Sequence, residues 1–216
     1  RICRRRTWPQ SRCRRARCSR CRLCIPACRR WCTGRSAWRP GRYELGNFAK
    51  NVQKWAAFDE KGNVLKFQKT TKDCWKVQTK GVSELHIKYN YYAIDLNAGS
   101  TFLDGTQLYM NPVNCCVYIP ERINEVCEMT LRLPKEYKLA CGANHKNNVI
   151  SCKDFHELAD SPFIASATLQ HDKFVCAGKE FNIWFQGECK PDWGKITADF
   201  TKFCNHDLSI EFKIYP

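Results

Sequence analysis

The sequence predicts an all-β domain over residues 37–216, mainly an antiparallel β-sandwich with one or two short helices. Three observations lead to this fold class. Apolar and polar residues alternate along several segments, turn-forming residues separate those segments, and helical periodicity is sparse. An Arg- and Cys-rich segment over residues 1–36 precedes this domain and is predicted to be disordered.

The first predicted element pair is a hairpin. Residues 55–58 and 64–67 flank Asp59-Glu60-Lys61-Gly62-Asn63, in which the glycine supplies a positive φ. Short helical turns are predicted at 48–52 and 154–158, and a short helix over 196–203. Period-two alternation predicts four half-buried strands, whose apolar positions are Leu85, Ile87, Tyr89 and Tyr91; Cys127, Met129, Leu131 and Leu133; Phe181, Ile183 and Phe185; and Leu208, Ile210, Phe212 and Ile214.

The net charge of the chain lies in its first 42 residues. This stretch has 15 Arg, no Lys and no acidic residue, so it carries +15, the formal charge of the whole chain. Residues 43–216 have 19 Lys and 2 Arg against 21 acidic residues and are neutral. Residues 1–36 also lack Asn, Phe, Tyr and Met, which are common later. We interpret the switch as a change of coding frame, so residues 1–36 are predicted to be non-native.

Two other functions are consistent with this segment. As an Arg-rich arm, residues 1–42 would bind nucleic acid through its phosphates, with a steep salt dependence. As a metal centre, Cys18, Cys21, Cys24 and Cys28 have the spacing of a ferredoxin cluster, although Arg29 stands where such motifs have proline. The change of frame is the preferred interpretation, so the prediction includes no specific nucleic acid and no metal.

Nine cysteines lie beyond residue 43. An odd number cannot pair completely within the domain, and no Asn-x-Ser/Thr site accompanies them. They are predicted to be mainly reduced thiols that fill the core, with a partly disulfide-bonded domain as the alternative. Adjacent Cys115 and Cys116 are predicted to lie on a strand, one facing the core and one facing outward.

Five short blocks resemble a known family. The first two, Trp38-Arg39-Pro40-Gly41-Arg42-Tyr43 and Phe48-Ala49-Lys50-Asn51-Val52, resemble a signature near the start of the peptidase M61 (glycyl aminopeptidase) family. Residues 91–96, 108–114 and 158–162 agree in order. The motif residues are Trp38, Pro40, Gly41, Tyr43, Phe48, Asn51, Asp95, Asn111, Pro112, Asp160, Ser161 and Pro162. The resemblance implies the N-terminal β domain of that family, similar in arrangement to that of M1-type aminopeptidases.

The resemblance also implies what the chain lacks. The family binds zinc through His-Glu-x-x-His in a catalytic domain, which is the expected partner and is missing here. The nearest string, His156-Glu157-Leu158-Ala159-Asp160, has Asp in place of the second His, and Pro162 disfavours a longer helix. We therefore expect no catalytic, cofactor-binding or metal-binding residue, no enzymatic activity, and a structural role for the motif residues.

Two polar segments are candidates for one wall of a substrate cleft in the intact enzyme. They are Asp104-Gly105-Thr106 and residues 111–114, and turn chemistry explains the Asp-Gly pair equally well. No run approaches the roughly 20 apolar residues of a membrane span, and no apolar stretch typical of a signal peptide opens the sequence. A soluble protein is expected, with a cytoplasmic location favoured.

Overall fold

The computed structural model describes residues 23–24, 30–33 and 47–209. Three α-helices lie within these residues: α1 (Pro112–Cys115), α2 (Phe155–Ala159) and α3 (Trp193–Ser209), with 3₁₀ turns at Phe48–Asn51 and Pro120–Arg122. The strands of the same part of the chain are β1 (Leu23–Cys24), β2 (Arg30–Thr33), β3 (Val52–Phe58), β4 (Val64–Leu65), β5 (Phe67–Lys69), β6 (Trp75–Gln78), β7 (Glu84–Tyr91), β8 (Phe102–Leu103), β9 (Gln107–Met110), β10 (Cys127–Thr130), β11 (Lys138–Cys141), β12 (His145–Lys146), β13 (Val149–Cys152), β14 (Phe163–Ser166), β15 (Leu169–Cys176) and β16 (Lys179–Gln186).

The strands form several small antiparallel sheets, which confirms the predicted fold class. Their orders in the described residues are β1-β7-β3-β4, β2-β6-β5, β11-β14-β9-β8, β10-β13-β12 and β15-β16. Every strand pairing among them is antiparallel. Small sheets of this kind must bury their apolar faces against one another or against helices to be stable.

The main core lies where the β9/β14 and β10/β13 sheets meet helices α1 and α2. Phe163, Ile150 and Ala165 are almost completely buried there, together with Leu108 and Phe155. A second cluster, Ala57, Val77 and Leu85, lies between β3, β6 and β7. The apolar positions of alternating strands supply most of these residues, as the period-two pattern predicts.

The hairpin at residues 59–63 is confirmed. Strands β3 and β4 pair through Ala57 with Leu65 and Phe58 with Val64, and Gly62 has a φ of 85°. Asp59 organises the turn, because its carboxylate accepts bonds from the backbone N–H of Lys61 (2.9 Å) and Asn63 (2.7 Å). A bond from the Asn63 side chain, with these backbone bonds, holds the pKa of Asp59 below its ordinary value.

Two predicted elements have different boundaries in the structure. The strand predicted from Cys127 to Leu133 ends at Thr130, although Leu131 and Leu133 still pack against the main core. The helix predicted over 196–203 is longer and runs from Trp193 to Ser209, so Leu208 is helical rather than the start of a strand. The rest of that predicted strand, from Ile210 onward, lies outside the described residues.

The prediction for Cys115 and Cys116 was wrong. Both side chains are buried, because Cys115 ends the helical turn α1 and Cys116 caps it, so the pair does not follow the alternation of a strand. The Arg- and Cys-rich segment also differs in part from the expectation of disorder. The backbone of β1 pairs with β7, and that of β2 pairs with β6, since a sheet edge offers hydrogen bonds whatever the side chains are.

Candidate functional site

A buried polar pair follows strand β9 and binds a neighbouring loop of the domain. Asn111 is extended, and Pro112 occupies the first position of α1, where its fixed φ suits a helix and its missing N–H costs no hydrogen bond. This short turn places Asn111 and Asn114 inside the protein, where both are almost fully buried. We call Asn111 and Asn114 the asparagine clamp.

The asparagine clamp binds the backbone of residues 98–101. The Asn114 amide donates to the carbonyl of Gly99 at 2.8 Å, and the Asn111 amide donates to the carbonyl of Ala98 at 3.4 Å. The backbone N–H of Asn111 donates to the Thr101 hydroxyl at 3.1 Å. Buried amides of this kind are costly unless they are hydrogen-bonded, so the clamp fixes one conformation of this loop.

The segment that precedes the clamped loop carries an apolar ridge, formed by exposed side chains at residues 92–96. Tyr92, Ile94 and Leu96 alternate along the extended segment after β7, and each is between 52% and 61% exposed. The backbone of this segment is held by bonds from Tyr92 N–H to the Asn51 carbonyl (2.9 Å) and from Leu103 N–H to the Ala93 carbonyl (3.2 Å). A group of exposed large apolar residues on a fixed backbone is typical of an interaction surface.

Several motif residues hold this region. Asn51, at the end of the 3₁₀ turn that begins at Phe48, also donates from its side chain to the Tyr91 hydroxyl at 3.3 Å. Asp95 is exposed between Ile94 and Leu96 on the ridge. The predicted motif residues Phe48, Asn51, Asp95, Asn111 and Pro112 therefore lie on the ridge, in the turn of the asparagine clamp, or in the 3₁₀ turn whose Asn51 carbonyl bonds to the ridge. Trp38, Pro40, Gly41 and Tyr43 lie outside the described residues.

Asp104, in the polar segment Asp104-Gly105-Thr106, closes the turn between β8 and β9. Its Oδ1 accepts bonds from the backbone N–H of Thr106 (2.7 Å) and Gln107 (2.9 Å) and from the Thr106 hydroxyl (2.9 Å). Partial burial raises the pKa of Asp104, but these bonds outweigh it and hold the pKa below its ordinary value. The carboxylate is thus engaged in the turn, which is the structural alternative considered for this segment.

The string from His156 to Asp160 forms a capped turn. Asp154 caps α2 by accepting from the Glu157 N–H at 2.8 Å, and the Glu157 carboxylate accepts from the Lys153 N–H at 2.6 Å. The motif residue Ser161 donates to the Glu157 carbonyl at 2.6 Å, while His156, Asp160 and Pro162 are exposed. Glu157 is occupied by capping, and no group of three potential metal ligands occurs in the part of the chain that the structure describes.

The nine cysteines beyond residue 43 differ in burial. Cys115, Cys116, Cys152 and Cys176 are buried, whereas Cys189 is exposed. Burial raises the pKa of the Cys141 and Cys152 thiols, and the Glu157 carboxylate raises that of Cys152 further. Both thiols are therefore weak nucleophiles at neutral pH. Of the ferredoxin-like cysteines considered as an alternative, Cys18, Cys21 and Cys28 lie outside the described residues, as does most of the Arg-rich arm.

The sequence patterns did not reveal every functional candidate. The alternation at Tyr92, Ile94 and Leu96 is visible in the sequence, but alternation alone predicts a buried face rather than an exposed ridge. Phe200 and Phe203 on α3 are exposed in the same way. No helix among the described residues is long and apolar enough to cross a membrane.

The fold of this chain has a counterpart among solved structures. It is similar to the crystal structure of an aminopeptidase N family protein from Idiomarina loihiensis, with a TM-score of 0.80 and 24% identity over 87% of this chain and 33% of that one. This chain therefore spans about a third of the length of that protein. Among curated protein sequences, none matches.

The family is given by the sequence itself. A family model described as the peptidase M61 N-terminal domain matches residues 35–167, more than half of the chain. The chain belongs to the peptidase M61 N-terminal domain family, and the resemblance seen in the motif residues is confirmed. The match begins at residue 35, close to the switch in composition, and ends before strand β15.

Proposed function

We propose that this chain is the non-catalytic N-terminal β domain of an M61-like zinc aminopeptidase, and that its role is to pack against the catalytic domain and wall its cleft. The observation that supports this most strongly is the family match over residues 35–167. The match covers 33% of the structural relative, so that protein has room for a catalytic domain beyond the matched part. In this proposal the zinc belongs to the catalytic domain, and residues 1–42 have no specific nucleic-acid partner.

The apolar ridge is the part of the β domain that best suits this role. Tyr92, Ile94 and Leu96 present an apolar edge whose backbone is held by hydrogen bonds to Asn51 and from Leu103. A fixed loop loses little conformational entropy when a partner covers it, so its apolar area can contribute to docking. Asp95 lies within the ridge and would bring a carboxylate to the same boundary, where a cleft wall needs a polar group.

A peptidase assay tests the non-catalytic role. The full 216-residue chain is incubated with glycyl and alanyl anilides, with and without added zinc, and release of the aniline is followed. We expect no hydrolysis above a zinc-only blank, and the His156→Ala variant, which alters the nearest zinc-like string, should give the same result. Hydrolysis that needs the chain and is lost in His156→Ala would overturn the proposal.

A further inference from the structure

The last three described elements form a distinct part of the molecule, which we call the hairpin–helix unit: β15, β16 and α3, residues 169–209. Strands β15 and β16 pair over their full length, from Leu169 with Gln186 to Cys176 with Lys179. Among the described residues, these two strands form a sheet of their own. A two-stranded hairpin is marginally stable in water, so this unit depends on what covers its faces.

Helix α3 covers one face of the hairpin. Phe174 and Phe181 stack at 5.1 Å between ring centroids, Phe200 of α3 lies 6.4 Å from Phe174, and Trp193 lies 5.3 Å from Phe185. Asp192 caps the start of the helix by accepting from the Lys195 N–H at 3.0 Å. The helix is therefore anchored to the hairpin along an aromatic seam.

The apolar surface of the unit is only partly covered. Ile196, Phe200 and Phe203 follow the spacing of a single helical stripe, yet Phe200 is 48% exposed and Phe203 is 61% exposed. Phe185, beside the helix start, is 36% exposed. Three large apolar side chains are thus exposed on one small unit, which indicates a surface that another part of a protein covers.

The family match and the structural likeness indicate which part of a protein covers this apolar surface. The family match ends at residue 167, before the unit begins. The structural likeness covers 87% of the chain, and residues 1–167 are fewer than four fifths of it, so the likeness extends into the unit. The matched portion is 33% of the relative, so two thirds of that protein lie outside the match and are available to cover the shared surface.

We infer that the hairpin–helix unit is the first part of the domain that follows the β domain. Phe200 and Phe203 form the surface against which the rest of that domain packs. The β domain then ends near residue 167 rather than at residue 216 as the sequence predicts. The inference rests on the proposed function, because the occupant is the catalytic region of the same polypeptide. The surface concerned here is the exposed face of α3, which is separate from the apolar ridge.

The test places the same substitution in two intact proteins. Phe203→Asp is made in this chain, and Asp is placed at the superposed position of the Idiomarina loihiensis protein. Val126, 74% exposed in the β domain, supplies the matched control substitution to Asp in both. In this chain we expect Phe203→Asp and Val126→Asp to shift the melting temperature by no more than about 2 °C, because neither side chain is buried.

In the relative, Asp at the Phe203 position should lower the melting temperature by at least about 6 °C, since it places an unpaired charge in a packed interface, while the control changes it little. Small shifts at both positions of the relative would overturn the inference, as would a polar, solvent-exposed residue there in its crystal structure. A large loss from Phe203→Asp in this chain would overturn it too, because the face would then be covered internally. None of these outcomes affects the peptidase assay, so the two proposals fail separately.

Discussion

The β domain and the hairpin–helix unit bury their phenylalanines to very different extents. Phe163, in strand β14, is 2% exposed and belongs to a core built from two sheets and two helices of the same domain. Phe203, in α3, is 61% exposed although it lies on an amphipathic helix. The comparison shows that the β domain completes its own core, whereas the hairpin–helix unit has apolar surface that its own elements do not cover.

Truncating one phenylalanine in each region tests this contrast directly. Phe163→Ala should lower the free energy of unfolding by about 3–5 kcal/mol, because it removes a buried ring and leaves a cavity. The control is Phe203→Ala, which should change it by less than about 0.5 kcal/mol, since the ring is mostly in water. Urea denaturation followed by far-UV circular dichroism measures both. Equal losses in the two variants would remove the distinction between the regions.

A smaller effect is expected at the asparagine clamp. Asn114→Ala should cost about 1–3 kcal/mol, because the buried carbonyl of Gly99 loses the amide that donates to it at 2.8 Å. Hydrogen exchange should quicken over residues 97–101 while the β15–β16 hairpin is unchanged. The exposed Asn124→Ala variant serves as the control. Faster exchange throughout the molecule would mean that the clamp supports the whole fold rather than one loop.

The smallest effect concerns Asp104. Its pKa is lowered in the folded state, so the ionised carboxylate stabilises the turn at pH values above the ordinary pKa of about 4, and this contribution is lost as the pH falls through the folded pKa. Because the group is largely exposed, the contribution should stay below about 1 kcal/mol. Wild type should therefore be slightly more stable than Asp104→Asn at pH 7, and that margin should shrink at pH 3. Denaturation curves at the two pH values give the comparison, and a margin that grows on acidification would contradict the sign.

Features that depend on residues close together in the sequence were predicted most reliably. The turn at Asp59 to Asn63 follows from side chains that bond within five residues, and Gly62 adopts the positive φ that the sequence suggests. The alternation at Leu85 to Tyr91 likewise predicted strand β7. Where two periodicities overlap, as at Leu208, the strand pattern prevailed in the prediction although the helix continues to Ser209.

Other features depend on partners distant in the sequence. The motif identified Asn111 and Pro112, but not that the clamp would bond to residues 98–101 across a turn. Pro112 was a usable signal for a helical turn and would have corrected the prediction for Cys115 and Cys116. The exposure of Phe203 and Leu96 could not be predicted, because an apolar stripe in the sequence does not say whether anything covers it.

The register of the β15–β16 hairpin has a consequence for the order of folding. Its strands meet through a turn of only two residues, Ala177 and Gly178, so closing it costs little chain entropy. Strands β9 and β14, by contrast, must bring Met110 to Phe163 before the main core can form. Hairpins close in microseconds, whereas long-range pairings of this kind are slower. The β15–β16 hairpin is thus expected to close before β9 and β14 pair, so its aromatic side chains are in contact with water while the β domain is still collapsing.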